Sequence, residues 1–343
     1  MTWFDSDYSY KKKLTIDHSK VAGTLTDFPI LVSYTDTSLK TTGNGGHVEH
    51  SSGYDIIFTN GAETSQLNHE IQSYNASTGE IIMWVKIPSL SSTVDTEIYI
   101  YYGKSGVSSD PSSTSTWNSD YGAVYHMDDL TTSTIDDSTS HGRDGTKKSA
   151  NNPLESSNGK IGNCQDYENN GTAHNMYIDT ADFLDSVTEA TFTAWVKPED
   201  CTLDGDIFSI EEHDVDAPLV IWRDESTTDH YAVLITDDNG DESGTKLSGF
   251  NAGSTDWTHI VVTFKGGDAS GLKLYINGSE DTTGSFPANV TSIQEIKSST
   301  YSLRLGDEGP ALEHNKVFDG LIDEVQVLTN TETGNWASTN YEN

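Results

Sequence analysis

The stretch from Trp257 to Gly278, WTHIVVTFKGGDASGLKLYING, decides the fold of this chain. Apolar residues occupy every second position in both halves of the stretch, at Ile260, Val262, Phe264, Leu272, Leu274 and Ile276. This period of two is typical of strands with one buried face. A Gly-rich connection separates the halves, and Asn277-Gly278 favours a tight turn. The stretch therefore predicts two paired antiparallel strands in a β-sandwich.

The same stretch resembles the central strands of the laminin-G-like (concanavalin-A-like) jelly roll, which carry a W-x-H-x-x-x-T-F segment followed by L-Y-x-N/D-G. Further landmarks of that family occur in the expected order, at residues 121–128, 159–163, 191–198, 206–210 and 318–327. The resemblance covers roughly residues 120 to 335. It implies a jelly roll, with a short helix near the C-terminus where the sequence itself has a poor helical signal.

The first hundred residues contain six short strand-like runs, each bounded by Gly, Pro, Asn or Ser. Evenly spaced short strands without a helical period indicate a sandwich or barrel. The runs at residues 10–16, 27–34, 54–59, 67–74 and 97–103 resemble a domain of unknown function that precedes laminin-G-like domains in archaeal and bacterial surface proteins. That resemblance implies a fold class and the kind of domain found next to it, but it implies no activity.

We therefore predict an all-β protein of two β-sandwich domains, because 343 residues are too many for one typical sandwich. The N-terminal sandwich should span residues 1–105. Residues 106–119 are rich in Ser and Thr, which is typical of a linker. The concanavalin-A-like jelly roll should span residues 120–343.

The charge of the chain restricts its partners. The formal net charge is −35, which argues against nucleic acid because phosphate contacts need a cationic surface. Such acidity fits a protein that stays hydrated in high salt, so we expect a halophilic source; the alternative is an ordinary acidic extracellular protein. No apolar run approaches the roughly 18 residues of a membrane span, and Met1–Asp7 does not resemble a secretory leader. Cys164 and Cys201 are expected to be buried thiols rather than a disulfide framework.

One arrangement suggests catalysis. Glu212, Asp214 and Asp216 would share one face of a strand, as in β-glucanase-type glycosidases that use E-x-D-x-E. The alternative is a solvated acidic loop, since the run holds few strand-forming residues and Pro218 follows it. We expect the alternative, and therefore no enzymatic activity.

Calcium is the expected ion because oxygen ligands are abundant. The candidate ligands are Asp136, Asp137 and Asp144 in a Ser/Gly-rich loop, together with Asp323, since domains of the resembled family often place calcium ligands there. Residues 237–241 open like a calcium loop, but Glu242 stands where Gly is needed, so a turn around Asn239-Gly240 is expected instead.

Sugar recognition needs aromatic faces beside polar groups. Trp222, Arg223, His230 and Tyr231 flank one loop and form the candidate ligand-binding patch, with packing as the alternative role for Trp222. His126 and His259 are expected to be hydrogen-bonded structural residues.

The predicted function is a non-enzymatic surface adhesion or receptor-binding protein that recognises cell-surface glycans or glycoproteins. We expect it outside a cell or on a virion, as a spike, turret or fibre of a halophile virus. It should act as a homo-oligomer or within a larger assembly, without membrane insertion. The alternatives are a structural subunit of a cell-surface layer or filament and a glycoside hydrolase, because one fold hosts all three.

Overall fold

The chain divides into two compact units. A computed structural model describes residues 3–129, 133–148, 152–169, 176–178, 181–199, 201, 204–212, 216–224, 230–243, 246–284, 290–307 and 316–343. The first unit consists of Met1–Asn118 together with Ser338–Asn343, and the second of Ser119–Ala337.

The first unit is built on seven strands that form two antiparallel sheets. The strands are β1 (Tyr10–Ile16), β2 (Leu25–Thr35), β3 (Ile57–Asn60), β4 (Gln66–Leu67), β5 (His69–Asn75), β6 (Glu80–Leu90) and β7 (Thr96–Tyr102). One sheet has the order β1-β7-β3-β4 and the other β2-β6-β5. Apolar side chains from both sheets are fully buried, among them Phe28, Phe58, Trp84 and Ile100. Each of the six predicted runs overlaps one or two of these strands, although the run at residues 54–59 enters β3 only at Ile57.

The segment predicted as a linker lies in the first unit, against the edge of β5. The Ser113 amide donates to the His69 carbonyl at 2.9 Å, and the Ser112 hydroxyl accepts from the Ile71 amide at 3.0 Å. Trp117 is buried and donates its indole N–H to Glu70 at 2.6 Å. The division therefore falls after residue 118. The segment is rich in Ser and Thr, so its composition does not reveal that the buried Trp117 side chain holds it in the first unit.

The last six residues also belong to the first unit, which differs from the predicted division. The Asn343 side chain donates to the Pro29 carbonyl at 2.9 Å and accepts from the Leu31 amide at 2.8 Å. Its amide thus bonds to the edge of β2 in the way that a neighbouring strand would.

The second unit contains the remaining strands, which form two antiparallel sheets. They are β8 (Tyr121–Tyr125), β9 (Thr134–Ile135), β10 (Gly145–Lys147), β11 (Leu154–Ser156), β12 (Cys164–Tyr167), β13 (Met176–Ile178), β14 (Glu189–Pro198), β15 (Gly205–Glu212), β16 (Asp216–Asp224), β17 (His230–Ile235), β18 (Lys246–Leu247), β19 (Thr258–Lys265), β20 (Leu272–Ile276), β21 (Ser279–Glu280), β22 (Leu303–Leu305) and β23 (Gly320–Leu328). One sheet has the order β18-β17-β16-β15-β22-β13-β10-β9. The other has the order β11-β12-β23-β14-β19-β20-β21, with β8 paired to β23.

The two sheets of the second unit face each other across one core. Phe192 on β14 meets Phe208 on β15 edge to face, with ring centroids 5.7 Å apart. The core continues through buried side chains of both sheets, including Ile221, Val233, Ile260, Leu274 and Ile322. A sandwich of two antiparallel sheets follows, as the alternating sequence predicts.

The central hairpin forms as predicted. β19 and β20 pair in the register Ile260↔Ile276, Val262↔Leu274 and Phe264↔Leu272. All six side chains are buried in the core cluster, so the period of two points them to one face.

Helical structure is limited to one α-helix and five short 3₁₀ helices in the described part of the chain. The 3₁₀ helices are His18–Lys20, Thr37–Leu39, Thr42–Asn44, Thr114–Thr116 and Ala181–Leu184, and the α-helix is α1 (Gly334–Glu342). The Thr333 hydroxyl accepts from the Trp336 amide at 3.2 Å and so caps the start of α1. This cap explains a helix where the internal helical signal is poor. No helix among the described residues is long and apolar enough to span a membrane.

The outermost strands of the second unit are short. β18 and β9 end one sheet, β21 and β11 end the other, and each of them has only two or three residues.

Candidate functional site

The outer face of β15, β16 and β22 gathers an aromatic ring and polar groups. Asp206 on β15 lies opposite Trp222 on β16, and Ser209 lies opposite Arg304 on β22. The neighbouring pairs Phe208↔Ile221 and Phe208↔Leu305 point into the core. Alternation from the core residues Ile207 and Ile221 places Asp206 and Trp222 on the opposite face, and a bulge between Asp206 and Phe208 places Ser209 and its partner Arg304 on that face as well. We call these four residues the Trp222 face.

The members of the Trp222 face differ in exposure. Trp222 and Arg304 are partly exposed, whereas Asp206 and Ser209 are buried. The Ser209 hydroxyl donates to the Asp307 carbonyl at 2.7 Å, which fixes its orientation. A partly exposed indole and a partly exposed guanidinium on one sheet face provide a flat apolar surface and hydrogen-bond donors. Sugar rings are recognised by this combination.

The structure does not bring the four predicted ligand residues together. Arg223 pairs with Tyr231, and both are fully buried on the core side of the sheet. The Arg223 guanidinium donates to the Cys201 carbonyl, and Tyr231 stacks with Phe250 at a centroid distance of 6.2 Å. Burial raises the pKa of the Tyr231 phenol above its ordinary value. His230 pairs with Asp224 at the end of β17, on the same face as Trp222.

The sequence analysis missed Arg304, although a signal for it existed. Arg304 stands between Leu303 and Leu305, which are both buried in the core. Alternation therefore places Arg304 on the outer face, but three residues are too short a run for a reliable strand prediction.

The carboxylate triplet does not lie on one strand. β15 ends at Glu212, β16 begins at Asp216, and these two residues pair across the antiparallel strands. Asp214 lies outside the described residues. The triplet thus spans the connection between two strands, and the face geometry of E-x-D-x-E does not apply to it.

The predicted metal residues separate into a loop and a strand. The Asp137 carboxylate accepts the amides of Val124, Thr139 and Arg143 at 2.8–3.0 Å, and the Asp144 carboxylate accepts the Asp137 amide at 2.9 Å. Asp137 therefore organises the loop with its own oxygens, as a turn-forming aspartate does.

Asp323 lies on β23 and is fully buried. It accepts the amides of Ile161 and Glu324, each at 2.9 Å. Burial, with the neighbouring Glu324 charge, raises its pKa well above the ordinary value. Among the described residues, it shares no hydrogen bond with Asp136, Asp137 or Asp144.

Asp136 is a predicted ligand that lies beside another acid, Asp129. It is exposed, and its amide donates to Asp129 at 3.3–3.4 Å. Burial together with the charges of Asp136 and Asp128 raises the pKa of Asp129 to about 6. A cation would relieve this repulsion.

Two further groups place three ligand-type atoms within 4.8 Å of one another, namely Asp17/His18/Asp95 and Asp166/Glu168/Glu199. In the first, His18 already pairs with Asp95 at 2.6 Å. In the second, burial and the charges of Glu199, Glu168 and Asp319 raise the pKa of Asp166 to about 6. The sequence analysis predicted neither group, because both join residues far apart in the chain.

Other predictions concern residues with structural roles. His259 bonds to the Thr193 hydroxyl at 2.9 Å, and His126 pairs with Glu324 at 3.0 Å. The Asp237 carboxylate accepts the amides of Asn239 and Asp241, which closes the expected turn. Cys164 and Cys201 form no disulfide bond in the described part of the chain, and Cys164 is buried whereas Cys201, expected to be buried, is partly exposed. Burial raises the pKa of the Cys164 thiol to about 12.

Two parts of the chain match models of known protein families. Residues 170–335 match the family model of the concanavalin A-like lectin/glucanases superfamily, and residues 52–142 match that of a domain of unknown function, DUF2341. The comparison with curated proteins gives no significant match.

Several solved structures are similar. Domain 4 of AbnA, an extracellular GH43 arabinanase from Geobacillus stearothermophilus solved with arabinotriose, is 21% identical with a TM-score of 0.45, covering 65% of this chain and 98% of that one. A SAP-like pentraxin from Limulus polyphemus is 19% identical with a TM-score of 0.36, covering 45% and 70%. The receptor binding domain of botulinum neurotoxin D is 13% identical with a TM-score of 0.46, covering 65% and 52%.

The two family-model matches confirm the order that the motifs predicted, with the match to DUF2341 preceding the match to the concanavalin A-like lectin/glucanases superfamily.

Proposed function

We propose that this protein is a non-enzymatic adhesion or receptor-binding protein that recognises glycans at the surface of a cell or a virus particle. The observation that carries the proposal is the Trp222 face, where a partly exposed indole and the Arg304 guanidinium project from the outer face of a lectin-type sandwich. The indole offers a stacking surface for the C–H face of a sugar, and the guanidinium donates to its hydroxyls.

The position of the carboxylate triplet supports binding without hydrolysis. A retaining glycosidase needs two carboxyl groups about 5 Å apart, and one of them must stay protonated near neutral pH. In glycosidases of the E-x-D-x-E type these carboxyls share one face of one strand, whereas here Glu212 ends β15 and Asp216 begins β16. The glycoside hydrolase is therefore the weaker alternative.

The proposed environment of the protein is inferred from the net charge of the chain. A net charge of −35 favours a protein that works in concentrated salt, where screening removes self-repulsion. We propose the surface of a halophile virus as that setting, with many copies acting together, so that weak single sites gain avidity. A structural subunit of a cell-surface layer or filament is the alternative that shares this charge argument.

Calcium remains part of the proposal at the loop that holds Asp136. Asp136 and Asp129 are the acids there whose repulsion a divalent cation would offset. Both carboxylate oxygens of Asp137 and of Asp323 already accept separate backbone amides at 2.8–3.0 Å, so we do not assign these two residues as ligands. Chelation should lower the melting temperature of the wild-type protein, and Asp136→Ala should abolish that difference. If chelation lowers the melting temperature of Asp136→Ala as much as that of the wild type, calcium does not bind at this loop.

Binding to intact host cells and to immobilised glycans tests the main proposal. Trp222→Ala should weaken binding by about ten-fold, which corresponds to about 1.4 kcal/mol, and Arg304→Gln should weaken it similarly. Trp3→Ala is the matched control, because Trp3 is an exposed tryptophan of the first unit. All variants must keep the wild-type melting temperature within a few degrees.

Two results would overturn this proposal. Binding that is unchanged in both Trp222→Ala and Arg304→Gln would exclude the Trp222 face. Release of reducing sugar that disappears in Glu212→Gln would favour the glycoside hydrolase.

A further inference from the structure

A second cleft lies at the edge of the sandwich in the second unit. β18 ends one sheet and β21 ends the other, and the residues that follow these two strands meet. Between them lies a cleft of about 330 Å³, with Phe250 and Ile276 among its apolar lining residues and Glu280 and Thr282 among its polar ones. It uses none of the residues of the Trp222 face.

Asp281 holds the two sides of this cleft together. One carboxylate oxygen accepts the amides of Gly249 and Phe250 at 2.7 and 3.2 Å, and the other accepts the amide and hydroxyl of Thr283 at 2.9 and 3.0 Å. Burial opposes ionisation, but these bonds outweigh it and lower the pKa of Asp281. The carboxylate is therefore charged and fully engaged at neutral pH, and it serves as a clamp.

Close approach of the chain at Gly249 makes the clamp possible. A Cβ atom at this position would overlap the Thr283 hydroxyl and lie 2.9 Å from the Thr283 carbonyl carbon. Glycine lets the two segments touch, so the cleft is formed before any ligand arrives.

The lining combines an aromatic ring with a polar rim. Phe250 is partly exposed towards solvent and stacks on the buried Tyr231 ring, with an interplanar angle of 19°. Ile276 is almost completely buried. Ser279, Glu280 and Thr282 are exposed and supply hydroxyl and carboxylate groups. A supported aromatic ring beside such groups suits the C–H face and hydroxyls of a pyranose.

Charge and size restrict the ligand further. Glu280 and Asp281 are negative, and the only cation paired with them among the described residues is Lys273, 3.1 Å from Glu280. This local excess of negative charge disfavours acidic sugars. A volume of about 330 Å³ is at the small end of the range for ligand pockets, roughly 300–1,000 Å³. We propose that the cleft at Phe250 binds one neutral pyranose, as a sugar site separate from the Trp222 face.

Ligand-observed NMR and titration calorimetry with methyl glycosides of glucose, galactose and mannose test this inference, with sialic acid as the acidic comparison. The full chain is used in molar salt. At least one neutral glycoside should bind, and Phe250→Leu should weaken it about ten-fold because the ring is lost while an apolar side chain remains. Glu280→Ala, on the exposed rim, should weaken it about three-fold. Trp222→Ala should leave binding to this cleft unchanged.

The outcomes are distinct. Absence of binding by all three neutral glycosides, or preference for sialic acid, would overturn the cleft as a pyranose site. Binding that Trp222→Ala abolishes and Phe250→Leu leaves intact would assign the sugar to the Trp222 face alone and overturn it as well. Melting curves of Phe250→Leu and Trp222→Ala show whether these variants still fold. Glu280→Ala changes only an exposed residue of the rim, so its effect on binding is independent of core packing. Failure of the cleft leaves the test of the Trp222 face on host cells unaffected.

Discussion

Replacement of Asp166 by Asn should stabilise the protein above neutral pH. Asp166 is partly buried on β12, where desolvation and the charges of Glu199, Glu168 and Asp319 raise its pKa to about 6 from 3.8. The folded state therefore holds this proton more tightly than the unfolded chain does. Its contribution to stability is complete below pH 3.8 and is lost as the pH rises through about 6.

The size of the effect follows from the shift. A difference of about 2.2 pKa units corresponds to about 3 kcal/mol at pH 8, since each unit is worth about 1.4 kcal/mol. Asp166 is partly exposed, so solvent screening lowers this figure, and we expect Asp166→Asn to gain about 1–2 kcal/mol. Among the described residues, no donor bonds to Asp166 Oδ1, so an asparagine at this position breaks no hydrogen bond at that atom.

Urea unfolding at pH 4 and pH 8, in one salt concentration and with chelator present, measures this gain. Glu49→Gln is the control because it removes one exposed carboxylate of the first unit. If Asp166→Asn is no more stable than Glu49→Gln at pH 8, the argument from desolvation is wrong. If Asp166→Asn loses stability in calcium but not in chelator, the cluster holds a cation and bare repulsion is the wrong description.

Three further predictions concern pH, backbone space and salt. Burial lowers the pKa of His69, so the free energy of unfolding should fall as the pH drops below about 6.5, and His69→Phe should reduce that fall in urea titrations at pH 5 and 7.5. Gly306→Ala should cost about 2–4 kcal/mol in thermal unfolding, since Gly306 has φ +84° and a Cβ atom there would overlap the Tyr167 ring. Reduction of salt from molar to about 0.1 M should abolish the near-UV circular dichroism, because repulsion is then poorly screened.

A different result would contradict each of these three predictions. An unchanged pH dependence in His69→Phe would assign the acid sensitivity to other groups. Gly142→Ala is the control for Gly306, because Gly142 also has positive φ but open space around it, so equal losses in both would indicate backbone strain alone. A constant circular dichroism signal across the salt range would remove the argument for a halophilic source.

The sequence predicted the fold well where local pattern and final packing agree. The Trp257–Gly278 stretch forms β19 and β20 because alternation, turn residues and burial all favour the same hairpin. The sequence predicted local structure less well where a single side chain determines whether a segment is packed or helical. Trp117 fixes a segment whose composition is typical of a linker, and Thr333 caps a helix whose interior favours none.

The candidate site was harder to predict because it depends on register. Trp222 and Arg223 are neighbours in sequence but point to opposite faces, and Arg304, which shares the outer face with Trp222, comes about eighty residues later. Aromatic and basic residues close in sequence therefore do not by themselves identify a binding surface. The spacing of Glu212 and Asp216 does not put them on one face of one strand, because β15 ends at Glu212 and β16 begins at Asp216.

The short outermost strands of the second unit have a consequence for crowded conditions. An exposed edge needs several consecutive free amide and carbonyl groups to nucleate amyloid-like growth, and β9, β11, β18 and β21 offer two or three residues each. Molar salt strengthens apolar association and weakens charge repulsion between neighbouring molecules. Under those conditions, the short strands β9, β11, β18 and β21 limit growth from these edges of the second unit where the net charge no longer does. Neighbouring copies on a densely covered surface would then meet through side chains on the sheet faces and loops, an arrangement that remains reversible.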